Sequence, residues 1–151
     1  MRIEEEIKQT KFINEYQKLL VNIMVSYNWL INEAQVIINN TDITLTQYNV
    51  LRILRGAKGP LTTHEIKERM LEKNSDTSRL VERLLQKKYV IKTLDTQDRR
   101  RVSIAITKKG LRLLTAVDDK ELIVLEKMSN ISTTEATRLN TLLDALRTPE
   151  V

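Results

Sequence analysis

Apolar side chains recur at steps of three and four residues through the first quarter of the chain. This spacing places them on one face of a helix, because an α-helix turns once every 3.6 residues. The periodic positions are Tyr16, Leu19, Leu20, Ile23, Met24, Tyr27, Leu30, Ile31, Ala34 and Ile38. We therefore predict one long helix, with room for a bend, over the first 40 residues. The polar run from Asn39 to Asp42 ends it.

Four later helix starts share a pattern in which Ser or Thr follows an apolar residue. A second apolar residue, or Ala, comes five positions after the first and completes a hydrophobic staple. The caps and the residues three positions later are Thr44 and Gln47, Thr62 and Glu65, Thr107 and Gly110, and Ser132 and Glu135. All but the Thr107 pair form capping boxes, so that start is the weakest. We predict helices that begin near residues 45, 63, 108 and 133.

A fifth helix start, near Asn74 and Ser75, has polar caps but no apolar staple. Either this helix begins in solvent, or its entrance stays polar in order to face a ligand. Together with the preceding helix it spans residues 62 to 87, and both helices carry apolar stripes, at Ile66 and Met70 and around Leu84. The opposite face of the second helix carries Ser75, Ser78, Arg79, Glu82, Arg83 and Gln86. Two such helices are typical of a helix-turn-helix, whose second helix enters the major groove of DNA.

Two short strands follow, joined by a polar loop at residues 95–100. Tyr89 to Leu94 is the first candidate, and Arg101 to Ile106 alternates with Val102, Ile104 and Ile106 on one face. The predicted fold is therefore mainly α with a small β-hairpin wing: a winged helix-turn-helix domain flanked by N- and C-terminal helices. We expect a single domain over residues 1–151.

The positive charge of the chain is concentrated in one segment. Residues 79–112 contain eleven Lys/Arg and three Asp/Glu, a balance of +8, so the other 117 residues carry −3 of the total +5. Such an asymmetry favours a polyanionic partner, although a solvated basic surface would look the same. Cysteine is absent, which excludes disulfides and thiolate sites. No apolar run has the length of a membrane span, and the acidic start is unlike a signal peptide, so we expect a cytoplasmic protein.

The residue types in this basic segment suit contacts with double-stranded DNA. Ser75, Ser78 and Arg79 lie in the first turn of the second helix, where small hydroxyls bond bases or phosphates and a guanidinium matches guanine. At the hairpin tip, Arg100 suits the narrow minor groove, and Asp98 two residues earlier would fix its pose. A solvated tip is the alternative.

The segment from Ile43 to Leu114 resembles the MarR family of bacterial regulators. The matching runs are ITLTQYNVL (43–51), PLTTHEI (60–66), SDTSRLVERL (75–84) and DTQDRRRVSIAITKKGLRLL (95–114). The resemblance implies a homodimer held together by helices in residues 1–40 and 108–151, with a winged-helix DNA-binding lobe at 43–107. It implies DNA contacts from the recognition helix and the wing, which here are Ser75, Asp76, Ser78, Arg79 and Arg83, and Asp98, Arg99, Arg100 and Arg101.

Two residues depart from the family's pattern. Asp76 stands where many members have a neutral residue; it stabilises the helix N-terminus or accepts from a cytosine amine. Lys88 stands where Gly is usual, and a left-handed conformation there would cost about 1 kcal/mol. Tyr27 and Trp29 are candidates for a small-molecule effector pocket, or else for core or dimer contacts. His64, the only histidine, is expected on the surface.

The sequence therefore predicts a sequence-specific double-stranded DNA-binding transcriptional regulator. We expect a homodimeric repressor on a pseudo-palindromic operator, with release by a small-molecule effector left open. A winged-helix module that binds proteins rather than DNA is the alternative. We expect no catalytic residue, metal or cofactor, because no nucleophile–base pair, ligand cluster or Gly-rich phosphate loop is present in the sequence.

Overall fold

The computed structural model of the protein describes residues 2–94 and 102–148. Two helices precede the lobe, α1 (Ile3–Glu6) and α2 (Glu15–Ile38). The lobe itself is built from α3 (Leu45–Gly56), α4 (Thr63–Arg69), α5 (Thr77–Gln86), β1 (Val90–Leu94) and β2 (Val102–Ile106). The chain continues into α6 (Lys108–Glu126) and α7 (Thr133–Arg147). The predicted class, mainly α with a β-hairpin, is confirmed.

The prediction of one helix over the first 40 residues is wrong. The periodic stripe that begins at Tyr16 forms α2, whose cap Asn14 accepts a hydrogen bond from the backbone of Gln17 at 2.9 Å. The short α1 precedes it, and the connection between them includes Lys8 at a φ of 55°. The helix ends as predicted, at Asn39 and Asn40.

The four helix starts predicted from the caps are confirmed at residues 45, 63, 108 and 133. The three capping boxes are present, at Thr44, Thr62 and Ser132. Thr107 caps α6 from one side only, by accepting from the Gly110 amide at 3.1 Å. Its hydroxyl also reaches the carbonyls of Lys88 and Tyr89, so this cap joins α6 to the base of the hairpin.

One hydrophobic core fills the lobe and reaches into the ends of α2 and α6. Its fully buried members are Val50, Leu51, Ile66, Met70, Leu84, Val90, Ile104 and Leu114. They come from α3, from the middle and the C-cap of α4, and from α5, the hairpin and α6. The apolar stripes predicted for the two helices of the helix-turn-helix therefore face the same interior.

The hairpin is a regular antiparallel pair, with Val90 opposite Ile106 and Leu94 opposite Val102. Leu61 forms an isolated antiparallel bridge to β2, through two backbone hydrogen bonds with Ile104 of 2.7 and 3.0 Å. The predicted alternation along β2 is partly wrong: Val102 is exposed and Ser103 is buried. Val102 pairs with exposed Leu94, whereas Ile104 is held over the core by Leu61.

The outer helices leave much apolar surface uncovered within one chain. On α2 the exposed side chains include Tyr16, Leu20, Met24 and Tyr27. Further exposed apolar residues are Leu122, Ile123 and Leu125 near the end of α6 and Leu139, Leu142 and Leu146 on α7. The whole of α7 is described, and none of its residues is buried. Among the described residues, no helix is both long and apolar enough to span a membrane.

Ion pairs attach the long α6 to the lobe. Arg55 of α3 contacts both carboxylate oxygens of Asp118, at 2.9 and 3.0 Å. One turn away, Arg52 contacts Glu121, and the hydroxyl of Tyr48 lies 3.1 Å from the same guanidinium. The lobe is thereby held at a fixed place along α6.

Candidate nucleic-acid interface

The candidate recognition helix α5 begins at Thr77, two residues later than predicted. The reason is that Asp76 caps it, with its carboxylate accepting from the Arg79 amide at 3.1 Å. Ser75 therefore precedes the helix, and its hydroxyl bonds the carboxylate of Glu72 at 3.0 Å within the preceding turn. Of the two roles considered for Asp76, this geometry supports stabilisation of the helix N-terminus.

The two faces of α5 divide as the sequence predicts. Thr77, Val81 and Leu84 are buried against the lobe. Ser78, Arg79 and Arg83 are exposed on the other side, and neither guanidinium has a hydrogen bond or ion pair with any described residue. Two free cations and a hydroxyl on an exposed helix face are suitable donors for an anionic partner.

The one carboxylate on this outer face is paired. Lys92 of β1 donates to Glu82 at 2.8 Å, and both side chains are about half exposed. This ion pair joins the recognition helix to the first strand of the wing and neutralises a charge that would otherwise repel phosphate. Sequence reasoning placed Glu82 on the outer face but gave no indication of its partner.

A shallow concavity of about 200 Å³ lies where α3 meets the outer face of α5. Its lining residues are Thr46, Ser75, Asp76, Arg79, Leu80 and Arg83. Thr46 and Leu80 are the two members that the sequence did not suggest as contacts. Thr46 lies in the first turn of α3, and its segment was explained entirely as a helix start. Proximity between α3 and α5 depends on tertiary packing, which no local pattern reports.

Behind the end of α5, four residues form what we call the Asp42 junction: Asp42, Lys87, Tyr89 and Lys109. The Tyr89 hydroxyl donates to Asp42 at 2.7 Å, and Lys87 lies 3.8 Å from the same carboxylate. Lys109 lies 4.4 Å from the centre of the Tyr89 ring and donates to the Lys87 carbonyl at 2.8 Å. The junction connects the α2–α3 turn, the end of α5, the wing and α6.

The hydrogen bonds of the junction also change its acid–base behaviour. Burial, together with the neighbouring Asp42 carboxylate, raises the pKa of Tyr89 to about 12. The hydrogen bond from Tyr89, with help from Lys87 and Lys109, lowers the pKa of Asp42. The phenol is therefore neutral and the carboxylate charged at physiological pH.

The remaining predicted site residues fall into two groups. The wing residues Asp98, Arg99, Arg100 and Arg101 lie outside the described residues. Tyr27 and Trp29 of α2 are 60% and 42% exposed, so they are not core contacts of a single chain. Because the two residues are two positions apart on a helix, their side chains point in directions that differ by about 200°. One enclosed pocket within this chain would therefore not hold both. His64 is exposed, as predicted.

Comparison with known proteins identifies the lobe. The MarR family model matches residues 41–101, from the turn before α3 into the wing. The lobe of this chain is therefore similar to the DNA-binding lobe that this family model describes. No curated protein is similar enough to match it.

Solved structures match nearly the whole chain, including the outer helices. A MarR transcription factor from Planctomyces limnophilus is 25% identical, with a TM-score of 0.65, over 89% of this chain and 99% of that one. The MepR–DNA complex from S. aureus is 24% identical, with a TM-score of 0.73, over 90% and 97%. PcaV from Streptomyces coelicolor, solved with its natural ligand, is 19% identical, with a TM-score of 0.74, over 91% and 96%.

Lys88, two residues after the last residue of α5, has a φ of 62°. The left-handed conformation, which the sequence left only as a condition, is therefore present with Lys and not Gly as the side chain. Among the described residues, no group of three or more His, Cys, Asp or Glu is arranged to bind a metal ion.

Proposed function

We propose that this protein is a MarR-family transcriptional regulator that binds double-stranded DNA sequence-specifically through α5 and the wing. The observation that carries the proposal is the division of α5, whose buried face fixes it to the lobe while Ser78, Arg79 and Arg83 are free on the outer face. An α-helix presented in this way fits the major groove, and Arg79 in its first turn is suited to read guanine. Arg100, with Asp98 orienting it, is proposed to enter the minor groove.

The protein is proposed to act as a homodimer. The exposed apolar side chains of α2, α6 and α7 form a larger apolar surface than a monomer normally leaves in water. A second copy is the occupant that suits it, with residues 1–40 and 108–151 as dimerisation helices and 43–107 as the DNA-binding lobe. Two-fold symmetry would place the half-sites of a pseudo-palindromic operator about 10 bp apart.

We further propose that the dimer represses by covering a promoter, and that it works in the cytoplasm, where bacterial DNA lies. Similarity of fold to PcaV, whose structure contains its natural ligand, supports a small-molecule effector. Tyr27 and Trp29 are the residues that we propose for its contact. Such an effector would release DNA only if it bound one spacing of the two recognition helices better than the other.

Fluorescence anisotropy with duplex DNA at two salt concentrations tests the proposal. We expect tight, salt-dependent binding by the wild type, and a relaxed sequence preference for Arg79→Ala in a selection from random duplexes. Lys58→Ala, which removes an exposed cation from the loop after α3, outside the proposed DNA and dimer contacts, is the control and should leave the preference unchanged. A dimer that ignored every duplex in dilute buffer, while binding a protein partner tightly, would instead be a protein-interaction module.

A further inference from the structure

We infer that the concavity between α3 and α5 is a binding site for a single phosphodiester of the DNA backbone, held by Thr46 and Arg83. The inference rests on the proposed function, because it requires duplex DNA against α5. It adds a contact from α3, outside the helix-turn-helix and the wing, and it gives Arg83 a role different from that of Arg79.

The donors in this concavity are available. The hydroxyl of Thr46 and the guanidinium of Arg83 have no hydrogen-bond partner among the described residues, and both line the same space. Its volume of about 200 Å³ leaves room for one phosphate group. Leu80 forms an apolar part of the lining and offers no acceptor that would compete with a phosphate for these donors.

The charges of the lining suit one negative charge. Arg79 and Arg83 contribute two positive charges and Asp76 one negative charge, so the lining is +1. Asp76 opposes an anion, but one of its oxygens already accepts from the Arg79 amide. Glu82, on the same helix face, is paired with Lys92. A phosphodiester carries a single negative charge and therefore matches this balance.

The position of the concavity favours the backbone over the bases. When α5 lies in the major groove, its exposed face meets base edges, whereas neighbouring elements at its sides meet the phosphates that border the groove. Thr46 belongs to such a neighbour, since α3 packs against the side of α5. A contact there would fix the register of α5 without reading sequence.

Binding of Thr46→Val to an operator duplex selected by the wild type provides the test. Valine keeps the shape of threonine and removes the hydroxyl, so we expect affinity to fall about tenfold, with unchanged sequence preference. Thr46→Ser keeps the hydroxyl and should retain wild-type affinity.

A second experiment identifies which phosphate of the DNA backbone the concavity binds. In duplexes with a neutral methylphosphonate at one backbone position at a time, neutralising the bound phosphate should weaken the wild type severalfold and Thr46→Val far less. Arg83→Gln should lower the salt slope by about one for each protomer.

The outcomes separate the two proposals. If the wild type binds duplex DNA but Thr46→Val matches it at every methylphosphonate position, the phosphate site is overturned and the regulator remains. A changed sequence preference in Thr46→Val would assign the site to bases and also overturn it. If the wild type binds no duplex, both proposals fail together.

Discussion

The winged-helix lobe of this protein buries its apolar residues, whereas the outer helices leave many of theirs exposed. In the lobe, the apolar stripes of α3, α4 and α5 meet in one interior, and Leu51, Ile66 and Leu84 are fully buried. On α7 the stripe of Leu139, Leu142 and Leu146 is about half exposed. The sequence patterns are alike, since both regions place apolar residues at steps of three and four.

The difference shows that an amphipathic pattern specifies a face but not what covers it. The lobe contains the partners of its own stripes, so its stability belongs to one chain. The outer helices do not contain theirs, and a second copy is the proposed source. We therefore expect local unfolding of the lobe to be independent of protein concentration. The stability of the outer helices should instead depend on association, and so on protein concentration.

The largest expected effect distinguishes a buried leucine of the lobe from an exposed leucine of α7. Leu51→Ala removes a side chain with no exposed surface and should lower the free energy of unfolding by about 2–5 kcal/mol. Leu142 is 58% exposed in one chain, so Leu142→Ala should cost a monomer less than about 0.5 kcal/mol. Chemical denaturation and sedimentation equilibrium, each at several protein concentrations, measure both variants.

We expect Leu142→Ala to shift the monomer–dimer equilibrium towards monomer, and Leu51→Ala to act mainly on unfolding. The proposed difference between the two regions would be contradicted if Leu142→Ala left both association and unfolding unchanged. It would also be contradicted if Leu51→Ala left the free energy of unfolding unchanged.

Gly110 tests how tightly α6 is attached to the lobe. A Cβ at this position would lie 2.5 Å from the Tyr89 carbonyl oxygen and 2.8 Å from Cγ1 of Ile106. Gly110→Ala should therefore lower the free energy of unfolding by about 1–3 kcal/mol, measured by thermal or urea denaturation. Gly56→Ala is the control: open space surrounds it at the end of α3, and the change should be neutral or stabilising by up to about 1 kcal/mol. Equal effects at the two glycines would refute close contact at Gly110.

The sequence predicts best what depends on neighbouring residues in the chain. The starts of α3, α4, α6 and α7 were predictable to the residue, because a cap and its partner lie three positions apart. The start of α5 was predicted two residues early, because the run Asn74, Ser75 and Asp76 offers three successive polar caps. The break before α2 was missed, because the periodic stripe was extended beyond Tyr16 without apolar positions to support it.

The candidate site divides in the same way. Helical periodicity is enough to place Ser78, Arg79 and Arg83 on the outer face of α5. The pairing of Glu82 with Lys92, and the closeness of Thr46 to α5, depend on how strands and helices cross. Contacts between distant segments carry no local signature, and without a set of related sequences only the folded structure reveals them.

The Asp42 junction makes the stability of the lobe fall at alkaline pH. The pKa of Tyr89 is about 12 in the folded chain and near 10 when unfolded, so the folded state binds this proton more tightly. Its contribution to stability is complete below about pH 10 and is lost as the pH rises towards 12. Tyr89→Phe should cost about 1–2 kcal/mol at pH 7, because it removes the hydrogen bond to Asp42.

The difference between wild type and Tyr89→Phe should shrink between pH 10 and 12, when urea denaturation is followed across that range. Other groups that titrate there are common to both proteins and cancel in the difference. Tyr16→Phe, at a site that is 80% exposed, should show no such change. A constant difference across the range would contradict the raised pKa.

The smallest expected effect is a gain, at the point where α5 passes into the wing. Lys88 holds a φ of 62°, which costs an L-residue about 1–2 kcal/mol, and Gly adopts it freely. Gly also loses more freedom on folding, so Lys88→Gly should stabilise the lobe by a net of about 0.5–1 kcal/mol in the absence of DNA. The backbone contacts of this residue, from its amide to Leu85 and from Thr107 to its carbonyl, need no side chain. Lys88→Ala removes the same charge but keeps Cβ, so it should give no gain. If both variants were equally stable in urea denaturation, the left-handed conformation would not be the source of the cost.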